Sequence, residues 1–172
     1  SLLLQASTTT KEFAVEAKRQ LFQAFLHMDL LGASTDDQDS LVQLRASCKE
    51  AWLAMMQSTP SRTQEEVLRV MRQLPGCSSA QGEQLTEDGL FSMDIALQLP
   101  SGARVAVEVD GPTHYVTSSS GAVQLNGATQ LRNRLLEARG WKVVSVPAVQ
   151  WTSMTGGEAA QLAYLEKLII RE

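Results

Sequence analysis

The run VAVEVDGPTHY, residues 105–115, places Glu108, Asp110 and His114 at the end of an apolar stretch, and FSMDIALQL, residues 91–99, carries Asp94 among alternating apolar positions. Phe91, Met93, Ile95, Leu97 and Leu99 repeat with a period of two, as do Val105, Val107 and Val109, and PSGA lies between the runs. This pattern predicts a β-hairpin with the acidic residues on the face opposite the valines. Facing residues of an antiparallel pair have numbers with a constant sum, and the alternation requires that sum to be even. A sum near 202 sets Asp94 opposite Glu108, and a sum near 204 sets it opposite Asp110. Like charges roughly 5 Å apart destabilise a sheet unless a cation or a proton stands between them. The arrangement therefore suits a divalent ion, Mg²⁺ or Mn²⁺, bound among the three carboxylates, with a bound water activated against a phosphodiester. Asp110 and His114 extend this candidate catalytic set, His114 as ligand, proton shuttle or phosphate contact. The same residues also suit a plainer role, Asp94 and Asp110 facing solvent or bonding within the Asp-Gly-Pro turn.

Arg132, Arg134, Arg139 and Lys142 form the notable basic cluster, with Tyr115, Trp141 and Trp151 nearby in sequence. Guanidinium groups and aromatic faces together suit single-stranded RNA, through phosphate pairing and base stacking. Tyr115, Arg132, Arg134, Lys142 and Trp151 are the candidate RNA-binding residues, while Trp141 reads as core. A solvated helix face partly neutralised by Glu137 is the competing reading.

The elements that must position these groups are legible from period and punctuation. Residues 11–31 carry Phe13, Ala17, Leu21, Ala24, Phe25 and Met28 at helical spacing, with Gly32 as the stop. His27 on this helix reads as a packed core histidine. ASTDDQDS reads as an acidic loop, and a second helix over 41–56 completes an antiparallel hairpin. Ser61 or Thr63 caps a third helix that ends at Pro75-Gly76. One short strand is expected around 83–86. After the β-hairpin, residues 116–125 read as an irregular loop. Asn126 caps a helix ended by Gly140, WKVVSVP follows as a buried strand, and the strand–helix–strand order predicts a right-handed parallel crossover. A last helix spans 158–170.

With 172 residues, 44% hydrophobic and 20% charged, the composition is globular. The net charge of −4 excludes wrapping nucleic acid with the whole surface, so any such contact is a local patch. Cys48 and Cys77 are too few for a disulfide framework and read as reduced, buried thiols. No segment reaches the roughly 20 apolar residues of a membrane helix, and SLLLQASTTT is too short for a signal peptide. No membrane span is expected, and localisation must be read from elsewhere.

FSMDIAL, VAVEVDGPTHY, NGATQLRNRLLEARGWKVVSVP and the following QW together resemble the RAP domain, over about residues 88–170. The resemblance implies an RNA-associated module of an organellar protein, in mitochondrion or chloroplast, like those ending octotricopeptide-repeat proteins and the Fas-activated serine/threonine kinase family. It also implies an α/β fold of restriction-endonuclease-like type, an αβββαβ core with a mixed sheet, similar to PD-(D/E)XK nucleases of the very-short-patch-repair group. The expected division is a helical hairpin over 1–60, the end of a helical array, and the RAP domain over 61–172. Against the nuclease pattern, Asp94 and Glu108 match the two metal carboxylates, but Asp110 stands where the nucleases carry Lys. The resemblance thus implies binding of messenger or ribosomal RNA for stability, processing, splicing or translation, with other ribonucleoprotein components as partners and no certain cofactor. Its alternatives are a Mg²⁺- or Mn²⁺-dependent endoribonuclease and a protein-interaction scaffold, as in an organellar ribosome.

Overall fold

The computed structural model describes residues 14–33, 39–56 and 59–170. The start expected for the first helix, most of the acidic loop and the SLLLQASTTT opening lie outside them. The chain divides into two units, Ser1–Gln57 and Ser58–Glu172.

The first unit holds α1 (Val15–Leu30) and α2 (Asp39–Leu53). Arg19 Nε donates to the Ala51 carbonyl at 3.2 Å, while Arg45 pairs with Asp29, so the helices run antiparallel as expected. Phe22, Phe25, Leu26, Cys48 and Trp52 are buried, with the Phe22 and Trp52 rings 5.9 Å apart. His27 lies half-buried on α1, and its Nδ1 is buried without a hydrogen-bond partner.

The second unit begins with α3 (Arg62–Met71), whose start is set by a capping box. Ser61 Oγ accepts from the Gln64 backbone N–H at 3.2 Å, and the Gln64 side chain accepts from the Ser61 N–H. Two donors left over by the first turn are thereby satisfied. Then come β1 (Gln81–Leu85), β2 (Ser92–Gln98) and β3 (Arg104–Asp110). A single 3₁₀ turn (Pro112–His114) leads into β4 (Tyr115–Thr117) and β5 (Val123–Leu125). After them run α4 (Gly127–Glu137), β6 (Trp141–Pro147), α5 (Ala148–Thr152) and α6 (Gly157–Ile169). The main sheet has the order β1-β2-β3-β6, with β3 and β6 parallel and the other pairs antiparallel. The architecture is mixed α/β, and α3 to β6 follow the expected αβββαβ order, with β4 and β5 added. Those two pair with each other, which corrects the irregular loop expected over 116–125: with Val116 followed by five small or polar residues, the segment shows no sustained strand alternation.

One face of the sheet carries Ile95, Leu97, Val105, Val107, Val144 and Val146, which pack with Val67, Val70 and Met71 of α3 and Leu165 and Ile169 of α6. The opposite face carries the acidic residues and lies under α4. Asn126 Oδ1 accepts from the Thr129 N–H at 2.9 Å and caps α4. Its Nδ2 donates to the Thr113 carbonyl and its backbone N–H to the His114 carbonyl, both at 2.8 Å. One residue thus joins the helix start to the turn bearing His114, and Asn126→Ala is expected to lower stability by about 1–2 kcal/mol, the upper range for a cap, in thermal denaturation. Gly140 stops the helix at φ +80°, where a Cβ would stand 2.8 Å from Arg104 Nη2. No helix among the described residues is long and apolar enough to cross a membrane.

Candidate functional site

β2 and β3 pair with a constant sum of 202, from Gln98↔Arg104 to Ile95↔Val107. The ladder stops one step before Asp94 and Glu108. There the Asp94 side chain takes over: Oδ2 accepts the Val109 N–H at 2.8 Å. The β3–β6 register places Ser145 beside Glu108 and Pro147 beside Asp110. Asp94, Glu108, Asp110 and Ser145 therefore share one end of one sheet face.

Arg132 descends onto this acidic end from α4. Its Nη1 donates to Glu108 Oε2 and its Nη2 to the Ser92 carbonyl. Burial works against the Arg132 charge, but Glu108, Asp94 and Asp110 outweigh it and hold the guanidinium above its ordinary value. The cation that the sheet requires among its carboxylates is thus supplied by the protein itself. Arg132 was expected to face RNA, and its guanidinium is instead committed inward.

The donors that meet the three carboxylates are distributed rather than convergent. Glu108 is 3% exposed, Arg132 holds its Oε2, and Oε1 is buried without a hydrogen-bond partner. Asp94 is held by Val109 and by the Gln64 side chain. Asp110, 2% exposed, receives Ser145 Oγ on Oδ2 and His114 Nδ1 on Oδ1, the latter at 3.0 Å. Among the described residues no group of three His, Cys, Asp or Glu side chains is arranged to hold a metal ion. The donor set does not fit the Mg²⁺ or Mn²⁺ expected at Asp94 and Glu108, because a permanent positive charge already bonds the central ligand.

His114 is half-exposed over Asp110. A carboxylate oxygen only accepts, so the imidazole proton lies on Nδ1 and Nε2 points away from the pair. Tyr115 Oη lies 3.4 Å from Ser145 Oγ, and Thr129 Oγ1 lies 3.4 Å from His114 Nδ1. Ser145, Thr129 and Gln64 belong to this network without having been singled out from sequence. The signal for Ser145 was there, a hydroxyl interrupting the apolar strand WKVVSVP.

Burial pushes Glu108 from 4.5 up to about 7, against the pull of Arg132 and with Asp94 and Asp110 adding to the rise. Burial raises Asp94 too. The folded unit consequently takes up a proton between about pH 4.5 and 7 that the unfolded chain has lost. This contribution to stability is complete below pH 4.5 and is lost as the pH rises through about 7. The unfolding free energy from urea titrations should fall across that window with a slope approaching about 1.4 kcal/mol per pH unit, and Glu108→Gln should flatten the profile. Asp88 and Glu158 act with the opposite sign, because their carboxyls are held below their ordinary values.

The remaining candidates do not converge on the acidic end. Arg134 is exposed on α4, and Lys142 is half-buried near the start of β6. The two tryptophans exchange their expected places. Trp151 is 1% exposed within the core, which leaves its ring no face for a base. Trp141 is half-buried at a surface cleft, with the Arg104 guanidinium carbon 4.9 Å from its ring centre. Arg139 is also committed, to Asp88 at 2.7 Å and over the Phe91 ring.

A RAP domain-containing, chloroplastic protein of Oryza sativa subsp. japonica is 30% identical to the chain over 115 residues. That match covers 66% of this chain and 16% of the relative, so the chain spans a small part of the protein it resembles. The RAP domain family model matches residues 107–168, a segment that runs from Val107 through Glu108, Asp110, His114, Arg132 and Trp151. Over residues 107–168 the chain matches the RAP domain family.

Proposed function

We propose that the chain is an RNA-binding module of an organellar RNA-metabolism protein, and that it binds RNA without cleaving it. The observation that carries the second half is the Arg132–Glu108 pair: a guanidinium stands where a hydrolytic site would need a divalent ion, and it neither activates water nor accepts a proton. The RAP match and the relative's chloroplastic name support an organellar RNA role, in mitochondrion or chloroplast, with messenger or ribosomal RNA as ligand. Stability, processing, splicing and translation of that RNA, or a place beside other ribonucleoprotein components, are the processes such a module serves. Phosphate contacts fall to cations at the surface, Arg134 and Lys142, with His114 and Tyr115 at the mouth of the acidic end.

A filter-binding or anisotropy titration with single-stranded RNA in chelator tests this reading. Affinity should fall steeply with salt, and Arg134→Ala with Lys142→Ala should weaken binding and reduce the logarithmic salt slope by about 1–2. Binding that ignores salt and both substitutions would favour a protein-interaction scaffold.

A further inference from the structure

The sheet face that bears the acidic end is open at its other end. There a cleft of about 350 Å³ is lined by Gln81, Gln84, Gln98, Met93, Arg104 and Trp141. A second hollow of about 240 Å³, which also has Arg104, Glu87 and Trp141 in its wall, adjoins it. We infer that this cleft receives an unpaired base of single-stranded RNA, stacked against the Arg104–Trp141 pair. The inference rests on the RNA-binding reading and gives it a site that does not include the acidic end.

Three features select a heterocycle over other ligands. The Arg104 guanidinium carbon lies 4.9 Å from the Trp141 ring centre, and the guanidinium is anchored by Glu87 at 2.8 Å and by the Arg139 carbonyl. Held on two sides, it offers a fixed planar surface beside the indole, the surface on which bases stack. Charge is balanced at the rim, because Glu87 pairs with Arg104 and Asp88 with Arg139. A phosphate finds no net positive charge there, whereas a neutral base edge finds hydrogen-bonding partners. The Gln84 and Gln98 amides each donate to a nearby carbonyl, Gly82 at 3.2 Å and Gly102 at 3.3 Å, which fixes their orientation and leaves the amide oxygens to accept from base N–H groups. The volume lies at the small end of the range for ligand clefts, about 300–1,000 Å³, and suits one base rather than a folded nucleic acid element.

Trp141→Leu should lower affinity for single-stranded RNA about tenfold or more, within the range of one lost base stack, while leaving the salt slope unchanged. Gln84→Ala with Gln98→Ala, at positions that carry no core packing, should lower affinity several-fold in a chain that folds as the wild type does. Unchanged affinity in the glutamine pair and in a folded Trp141→Leu chain overturns the inference while the RNA reading stands. If the wild type binds no RNA, that reading fails, and the cleft is decided separately by titrating nucleoside monophosphates and following the indole N–H resonance missing from Trp141→Leu. A shift of that resonance supports base binding. A resonance unmoved by all four monophosphates, or moved only by an extended peptide, overturns it.

Discussion

Arg132→Ala is expected to destabilise the second unit by about 3–5 kcal/mol in urea denaturation near pH 8, the cost of leaving one member of a buried ion pair alone. The substitution strips Glu108 Oε2 of the Arg132 donor and the Ser92 carbonyl of its charged one. It also removes a positive charge that acts on both Asp94 and Glu108. Glu108 has a way out, since it takes a proton once its pKa rises beyond the value of about 7 it has in the intact unit. The loss should accordingly shrink at pH 5, where a neutral acid needs no cation. A second substitution separates pairing from packing: Arg132→Met combined with Glu108→Leu should recover most of the stability, because a well-packed apolar pair avoids the desolvation of both charges. A cost below about 1 kcal/mol for Arg132→Ala at pH 8 would show that the guanidinium is not the counter-ion of this face.

The exchange of roles between the tryptophans leads to the second large effect. Trp151→Ala should cost about 3–5 kcal/mol, because a large buried ring is removed from the core beneath α6. Trp141→Ala removes a half-buried ring from a cleft wall, and its cost should be less than half as great. Trp151→Phe is informative beside them. The indole Nε1 is buried without a hydrogen-bond partner, so the smaller ring loses volume but also removes an unsatisfied donor, and should cost far less than alanine. Parallel urea titrations of the three variants measure the differences. Equal losses for Trp141→Ala and Trp151→Ala would contradict the assignment of one to the surface and the other to the core.

The contrast between these residues shows what pattern alone conveys. Strict alternation in FSMDIALQL and VAVEVD, together with the short PSGA turn, made the hairpin and its even register readable and left sums near 202 and 204 open, of which the fold adopts 202. Asn126 and Gly140 bounded α4, because a cap and a positive-φ stop are local requirements. The direction of Arg132 was not local. A helix position faces solvent or sheet according to how the whole helix docks, and only the placement of α4 over β3 turned this guanidinium onto Glu108. Trp141 opens a strand, where burial depends on what covers the sheet end, and Trp151 sits on α5, a five-residue helix with no periodicity to detect. The β4–β5 pair escaped for a related reason, since Ser118, Ser119, Ser120 and Gly121 occupy most of the segment between its strands. The partners of Asp110 came from residues 4 and 35 positions away, and only the first was close enough to be considered from spacing.

The account depends on Arg132 occupying the place of a catalytic cation. The most direct measurement is the fate of labelled single-stranded RNA incubated with the purified chain in Mg²⁺, in Mn²⁺ and in chelator, with Asp94→Ala plus Glu108→Ala in parallel. Intact RNA in every condition, bound with salt-sensitive affinity that the chelator leaves unchanged, is the predicted result. Metal-dependent cleavage that disappears in the double variant would contradict it, and would mean that the guanidinium leaves Glu108 to admit an ion.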